Sequence, residues 1–74
     1  SSEEYLRREL SNGSMLNNLM LVGDLEGYVH IINPLTGITV GRKKVSGNPI
    51  MRIVSFRNLA YAIDQESNIV AVSF

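Results

Sequence analysis

Few side chains in this sequence could do chemistry. His30 is its single histidine, Asp24/Glu26 and Asp64/Glu66 are two short acidic pairs, and Gly41-Arg42-Lys43-Lys44 is a compact basic run. A zinc site built on His30 would need further imidazole or thiolate ligands, and there is no second histidine and no cysteine. A lone histidine in a strand is therefore expected to be a half-buried packing or surface residue. The acidic pairs raise the question of calcium, which takes about six to eight oxygen ligands. Too few oxygen donors lie near them, and Asp beside Gly is ordinary turn chemistry. The basic run could touch phosphates, but on an outer strand Lys and Arg discourage strand addition, and that is the role expected of it. Asn12-Gly13-Ser14 matches a glycosylation sequon and is read as a flexible turn. No Gly-x-Ser-x-Gly elbow, Gly-x-Gly-x-x-Gly fingerprint or Walker loop occurs. The expectation is no catalytic residue, no metal ligand and no cofactor.

The elements that carry these residues come from a short chain. At 74 residues it holds one small domain, and a domain of that size buries only roughly 60% of the surface its unfolded form exposes. It should need neighbours to cover its core. The absence of cysteine excludes disulfides. Seven basic and seven acidic side chains give no net charge, which removes the driving force for non-specific nucleic-acid binding. A 45% hydrophobic content argues against disorder, and no apolar run is long enough to span a bilayer as a helix. No basic stretch followed by an apolar one opens the chain, so a piece of a longer protein is expected.

Sliding the sequence against itself by 40 positions lays residues 18–32 over residues 58–72 without a gap. Asn18/Asn58, Leu19/Leu59, Asp24/Asp64 and Glu26/Glu66 coincide, and Gly27 meets the small Ser67. Leu21/Tyr61, Val29/Ile69 and Ile32/Val72 keep apolar character, and upstream Leu10 falls on Ile50 and Leu16 on Phe56. A unit near 40 residues therefore fits twice.

Within each unit the pattern is that of strands. Leu19 to Val22 and Tyr28 to Ile32 are separated by Gly23-Asp24-Leu25-Glu26-Gly27 and read as a hairpin. Asn33-Pro34-Leu35-Thr36-Gly37 supplies the next turn, and Ile38 to Val45 the next strand. The segment Ser14 to Leu16 adds one before them, and Ile50 to Phe56, Leu59 to Ile63 and Asn68 to Ser73 repeat the series without its fourth member. The fold expected is all-β: antiparallel four-stranded meanders of a β-propeller, one full blade plus a three-stranded partial blade. Residues 1–74 form a single propeller fragment, with 1–9 the end of a preceding strand or a linker, 10–47 the first blade and 48–74 the second, incomplete one. A free-standing seven-stranded barrel or sandwich is the alternative that strand spacing leaves open.

The stretch from Gly23 to Gly37 resembles the repeat of quinoprotein-type propellers, in which Thr-Gly follows a strand. Over residues 5–74 the chain is similar to the C-terminal end of the outer-membrane protein assembly factors of the BamB family. The similarity rests on the block Gly23-Asp24-Leu25-Glu26-Gly27-Tyr28, on the run from Gly37 through Val40 to Lys44-Val45, and on the terminal strand Ile69-Val70-Ala71-Val72-Ser73-Phe74. Two positions depart from the repeat: Asn33 stands where an acidic residue is usual, and Gly41 where an aromatic one is.

The resemblance implies a non-catalytic scaffold on the periplasmic side of the outer membrane. Its partners would be the POTRA domains of BamA and other components of the same machinery, and its only membrane contact a lipid anchor on an upstream cysteine that this segment lacks. No residue of the family's BamA contact maps onto a position here. The rival implication is a fragment of a quinone-dependent dehydrogenase, whose calcium-binding acids and catalytic carboxylate nothing in this segment identifies. A generic extracytoplasmic binding propeller is the third.

Without its fourth strand, the second unit would leave the edge of its last strand unpaired. The 40-position offset sets Glu3-Glu4-Tyr5-Leu6 over Lys43-Lys44-Val45-Ser46, so the start of the chain corresponds to the tail of a fourth strand. Glu4, Tyr5 and Leu6 of one copy and Ile69, Ala71 and Ser73 of another are therefore the expected assembly edge. Repeated head to tail, such pairing closes four copies into a ring of eight blades. The alternative for Glu3 to Leu10 is a short frayed helix, since its residues are good helix formers.

Overall fold

Two-residue turns set the frame. The structure, a computed structural model, describes residues 14–73. The expectations for the segment 1–9, with Glu4, Tyr5 and Leu6, and for Phe74 lie outside the described residues. Strands β1 (Ser14–Leu16) and β2 (Leu19–Gly23) are joined by Asn17-Asn18, at φ 50 and 66. Positive φ at both central residues gives the tight hairpin whose twist matches that of the strands, and asparagine tolerates it better than most residues. Strand β3 (Tyr28–Asn33) turns into β4 (Ile38–Lys44) through Asn33, whose side-chain Oδ1 accepts the Leu35 amide at 2.9 Å and whose carbonyl accepts the Gly37 amide at 2.7 Å. Strands β5 (Ile50–Phe56), β6 (Leu59–Asp64) and β7 (Ile69–Val72) complete the series. The seven expected strands are all present, with ends shifted by one residue at most.

The strands form two antiparallel sheets, of order β1-β2-β3-β4 and β5-β6-β7, the architecture of partial propeller blades. Their registers match. Leu16 faces Leu19, Met20 faces Ile32 and Gly23 faces Val29 in the first sheet; Phe56 faces Leu59, Ala60 faces Val72 and Ile63 faces Ile69 in the second. Each of these three pairs of the second sheet is a pair of the first with 40 added to both numbers.

The core lies between the sheets. Leu16, Leu21, Val29 and Ile31 from one face of the first sheet cluster with Ile50, Ile53, Ala60, Ala62 and Val72 of the second, with Leu19 and Val45 packed against them. The Ser14 and Ser55 hydroxyls meet across it at 2.5 Å. Val22, His30 and Ile32, on the opposite face of the first sheet, are buried as well, so β2 and β3 read as almost continuous apolar runs rather than alternating ones. In the second sheet the alternation is visible: Ile53, Ala60, Ala62 and Val72 are buried while Val54, Phe56, Leu59, Ile69 and Ala71, pointing the other way, are exposed.

Candidate functional site

Asp24 and Asp64 each begin a hairpin turn and are buried. The Oδ1 of Asp24 accepts the amides of Glu26 at 2.8 Å and Tyr28 at 3.0 Å, and the Oδ1 of Asp64 accepts those of Glu66 and Asn68, both at 2.9 Å. Short polar side chains favour such turns because the carboxylate satisfies amides that the tight backbone cannot pair. Each turn then needs a residue at positive φ, and Gly27 (φ 90) and Ser67 (φ 67) supply it. Only Gly27 is confined to glycine by space: a Cβ there would lie 1.9 Å from the carbonyl oxygen of Ser46.

The second carboxylate oxygens differ. Asp24 Oδ2 lies 2.6 Å from His30 Nε2, within a pair that is almost wholly shielded from solvent. Asp64 Oδ2 accepts the Ser46 hydroxyl at 2.6 Å, the Asn68 amide at 3.0 Å and the Asn48 amide at 3.2 Å. At Asp24, burial works to raise the carboxyl pKa, but hydrogen bonds from His30 and from the Tyr28 and Glu26 amides outweigh it and leave the group below its ordinary value. At Asp64 the hydrogen bonds of Ser46 and Asn68 lead, overcome desolvation, and hold the carboxyl far below the usual carboxylate range. An ionised Asp24 only accepts, so His30 Nε2 carries the hydrogen.

The linker between the sheets, residues 45–49, clasps both turns. The amides of Val45 and Ser46 donate to the Gly27 carbonyl at 2.9 and 3.2 Å, and the Ile50 amide donates to the Asp24 carbonyl at 2.9 Å. On the other side the Gln65 amide donates to the Pro49 carbonyl at 2.9 Å, while Ser46 and Asn48 reach Asp64. The two turns are thereby stitched at one end of the molecule, which fixes the angle between the sheets.

This arrangement orients backbone; it does not present reactive groups. A His-Asp pair is the orienting half of many catalytic constellations, but here the imidazole is only 2% exposed and closed to substrate. His30 is thus more deeply buried than the sequence suggested, because its partner Asp24 lies across the β2–β3 hairpin and compensates its burial. Among the described residues no three His, Cys, Asp or Glu side chains gather where they could hold a metal ion. The carboxylate oxygens of Asp24 and Asp64 are engaged by amides, a hydroxyl and an imidazole.

The basic run lies on β4, an edge strand of the first sheet among the described residues. Arg42 and Lys44 both lie over the Tyr28 ring, at 4.9 and 5.3 Å from its centroid, and Lys43 points the other way to donate to the Ser73 carbonyl at 3.3 Å. The register shift between Ile31 and Ile32 adds a bulge to the same strand, a second device that spoils an edge for pairing. Ile69, Ala71 and Ser73 lie on or just beyond β7, which has β6 on one side. Ile69 follows the Asp64 turn directly and pairs with Ile63, while Ala71 and Ser73 lie further along, and none of the three bonds the turn carboxylates. Ser46, Asn48 and Asn68, the residues that complete the Asp64 site, were not singled out in the sequence; three short polar residues converging on the second turn are the signal that marks them.

No family model matches the chain. Two curated proteins are similar to it. The outer membrane protein assembly factor BamB of Pseudomonas aeruginosa is 36% identical over 50 residues, covering 68% of this chain and 13% of that protein. The BamB of Shewanella oneidensis is 38% identical over 48 residues, covering 65% of this chain and 12% of that protein. The chain thus spans about an eighth of the length of the relatives it matches. Over about two thirds of its length this chain is similar in sequence to a small part of the BamB proteins, and its two antiparallel sheets have the architecture of partial propeller blades.

Proposed function

We propose that the chain is part of a non-catalytic scaffold of the machinery that assembles β-barrel proteins in the outer membrane. The observation that carries this reading is the similarity to two BamB proteins over about two thirds of the chain. The buried Asp turns support it: the carboxylates of Asp24 and Asp64 are used to hold backbone, as a scaffold requires. In this reading the protein works on the periplasmic side of the outer membrane, anchored by lipid through an upstream cysteine, and it engages the POTRA domains of BamA with other Bam components. Residues 10–47 and 48–74 are two successive blades. The edge of β7, with Ile69, Ala71 and Ser73, is the place for a fourth strand, as β4 lies on β3, and the segment containing Glu4, Tyr5 and Leu6 is of the kind that fills it.

The test is a chimera in which the matching stretch of Pseudomonas aeruginosa BamB is replaced by the corresponding residues of this chain. The reading predicts a folded protein that is retained by immobilised BamA POTRA domains and restores outer-membrane barrel levels in cells lacking BamB. A folded chimera that does neither contradicts the functional reading; a chimera that fails to fold contradicts the assignment of these residues as interchangeable blades.

A further inference from the structure

The two Asp turns are closed in different ways, and the difference divides the fold. Among the described residues, the partners of the Asp24 carboxylate all belong to its own hairpin: the amides of Glu26 and Tyr28, and His30 six residues on. Forty positions after His30 stands Val70, which faces Ala62 as His30 faces Val22 and whose side chain has no donor to give. The Asp64 carboxylate takes the Glu66 amide and Asn68 from its own turn, and Ser46 and Asn48 from the linker. The first turn is thus complete within its hairpin, whereas the second is complete only with the linker against it.

The linker is held unequally by the two sheets. Its backbone is bound to the first turn, where the amides of Val45 and Ser46 donate to the Gly27 carbonyl and, just beyond the linker, the Ile50 amide donates to that of Asp24. Towards the second sheet it offers the Pro49 carbonyl, which accepts the Gln65 amide, and the side chains of Ser46 and Asn48. We propose that the contact of Ser46 and Asn48 with Asp64 is a latch at which the fold opens: β5 beyond Ile50, β6 and β7 come away as a unit, and the linker stays on a first sheet that remains folded. Proteins open in cooperative units of this kind at free energies below that of global unfolding. The first sheet withstands the loss because the Asp24–His30 pair lies wholly within its β2–β3 hairpin, and Val22, His30 and Ile32 are buried on its face away from the second sheet. Opening uncovers Leu16, Leu21, Val29 and Ile31, an apolar sheet face that the closed chain hides.

Native-state hydrogen exchange of the whole 74-residue chain, over a series of sub-denaturing urea concentrations, tests the latch. In the parent, the amides of β6, β7 and Gln65 should exchange through an opening with a smaller urea dependence than the one that frees β2, β3 and the amides of Val45 and Ser46. Two variants locate the parting line. Ser46→Ala removes a bond present only in the closed chain, so it should speed both groups by one common factor, roughly ten- to a hundred-fold. His30→Gln weakens a bond that survives the opening, so it should speed β2 and β3 while leaving β6 and β7 within about two-fold of the parent. A single opening shared by all these amides in the parent overturns the latch, as does exchange of Val45 and Ser46 together with β6 and β7. It is overturned equally by a Ser46→Ala chain that exchanges like the parent, or by a His30→Gln chain in which both groups speed alike. Should either variant unfold, the parent profile decides the matter, because it alone shows whether one opening or two exist and which of them carries the linker.

Discussion

Asp64 repeats, forty positions on, what Asp24 does: the Oδ1 of each accepts the amides two and four residues ahead, all between 2.8 and 3.0 Å. The remaining oxygen of each is turned to a different partner, His30 in the first turn and the Ser46-Asn48-Asn68 group in the second. One local solution to the turn is thus kept, while the surroundings of the carboxylate are free to differ. Ser46 and Asn48 belong to the linker that also holds the first turn, so the second carboxylate does more than shape its own hairpin: it ties the sheets together.

Acid should loosen the fold. Both carboxyls are held below their ordinary values in the folded chain, whereas in the unfolded chain an Asp titrates near about 3.9. Their contribution is therefore complete above that unfolded value and is lost as pH falls through it towards the folded one. Urea midpoints should be level between about pH 7 and 5 and fall below about pH 4. The Asp64→Asn variant should start lower at neutral pH and lose less on acidification; a parent midpoint unchanged down to pH 3 would contradict the hydrogen-bonded carboxylates.

Gly27 and Ser67 share a backbone conformation but not a tolerance. Gly27→Ala drives a Cβ into the Ser46 carbonyl at positive φ and should cost at least about 3 kcal/mol, enough to displace the linker that the Gly27 carbonyl holds. Ser67→Gly relieves a left-handed residue and should stay within about 1 kcal/mol of the parent. Thermal unfolding of the two variants side by side measures the difference.

Replacing His30 by alanine removes the donor to Asp24 and leaves a cavity in a fully packed place. A loss of about 3 kcal/mol is expected from the two effects together. His30→Gln, which keeps a donor, should recover part of it. Equal stability of all three chains would show that the imidazole does not hold the turn.

The two faces of β5 should respond in opposite ways. Ile53→Ala empties the core between the sheets and should cost about 2–4 kcal/mol, whereas Phe56→Ala, on the exposed face, should alter the stability of the single chain by less than about 1 kcal/mol. Denaturation at concentrations low enough to keep chains apart gives both values.

The strands were legible because their signals are local. Asn17-Asn18, Asn33 to Gly37 and the Asp-Gly and Asp-Ser turns punctuate runs of Val, Ile, Leu and Tyr, and the 40-position offset brings the second set into line with the first. The depth of His30 was not legible, since nothing within β3 says that Asp24 lies across the hairpin; the pair forms only when Gly23 faces Val29 and Val22 faces His30. Ser46 and Asn48 were hidden for the same reason. They sit between strands, and their partner Asp64 is 18 and 16 positions away. The basic run was expected to guard an edge and does lie on one, while its stacking on Tyr28 follows from the register of β3 and β4, which places Tyr28 beside Lys44 and His30 beside Arg42.

The central claim is that two blade-like sheets stack face to face, with the second covering the first. Methyl-methyl nuclear Overhauser effects measured on the whole chain test it most directly. The account predicts contacts from Leu21 and Val29 of the first sheet to Ile53, Ala62 or Val72 of the second, alongside the cross-strand contacts within each sheet. Cross-strand contacts in both sheets with none between them would contradict it.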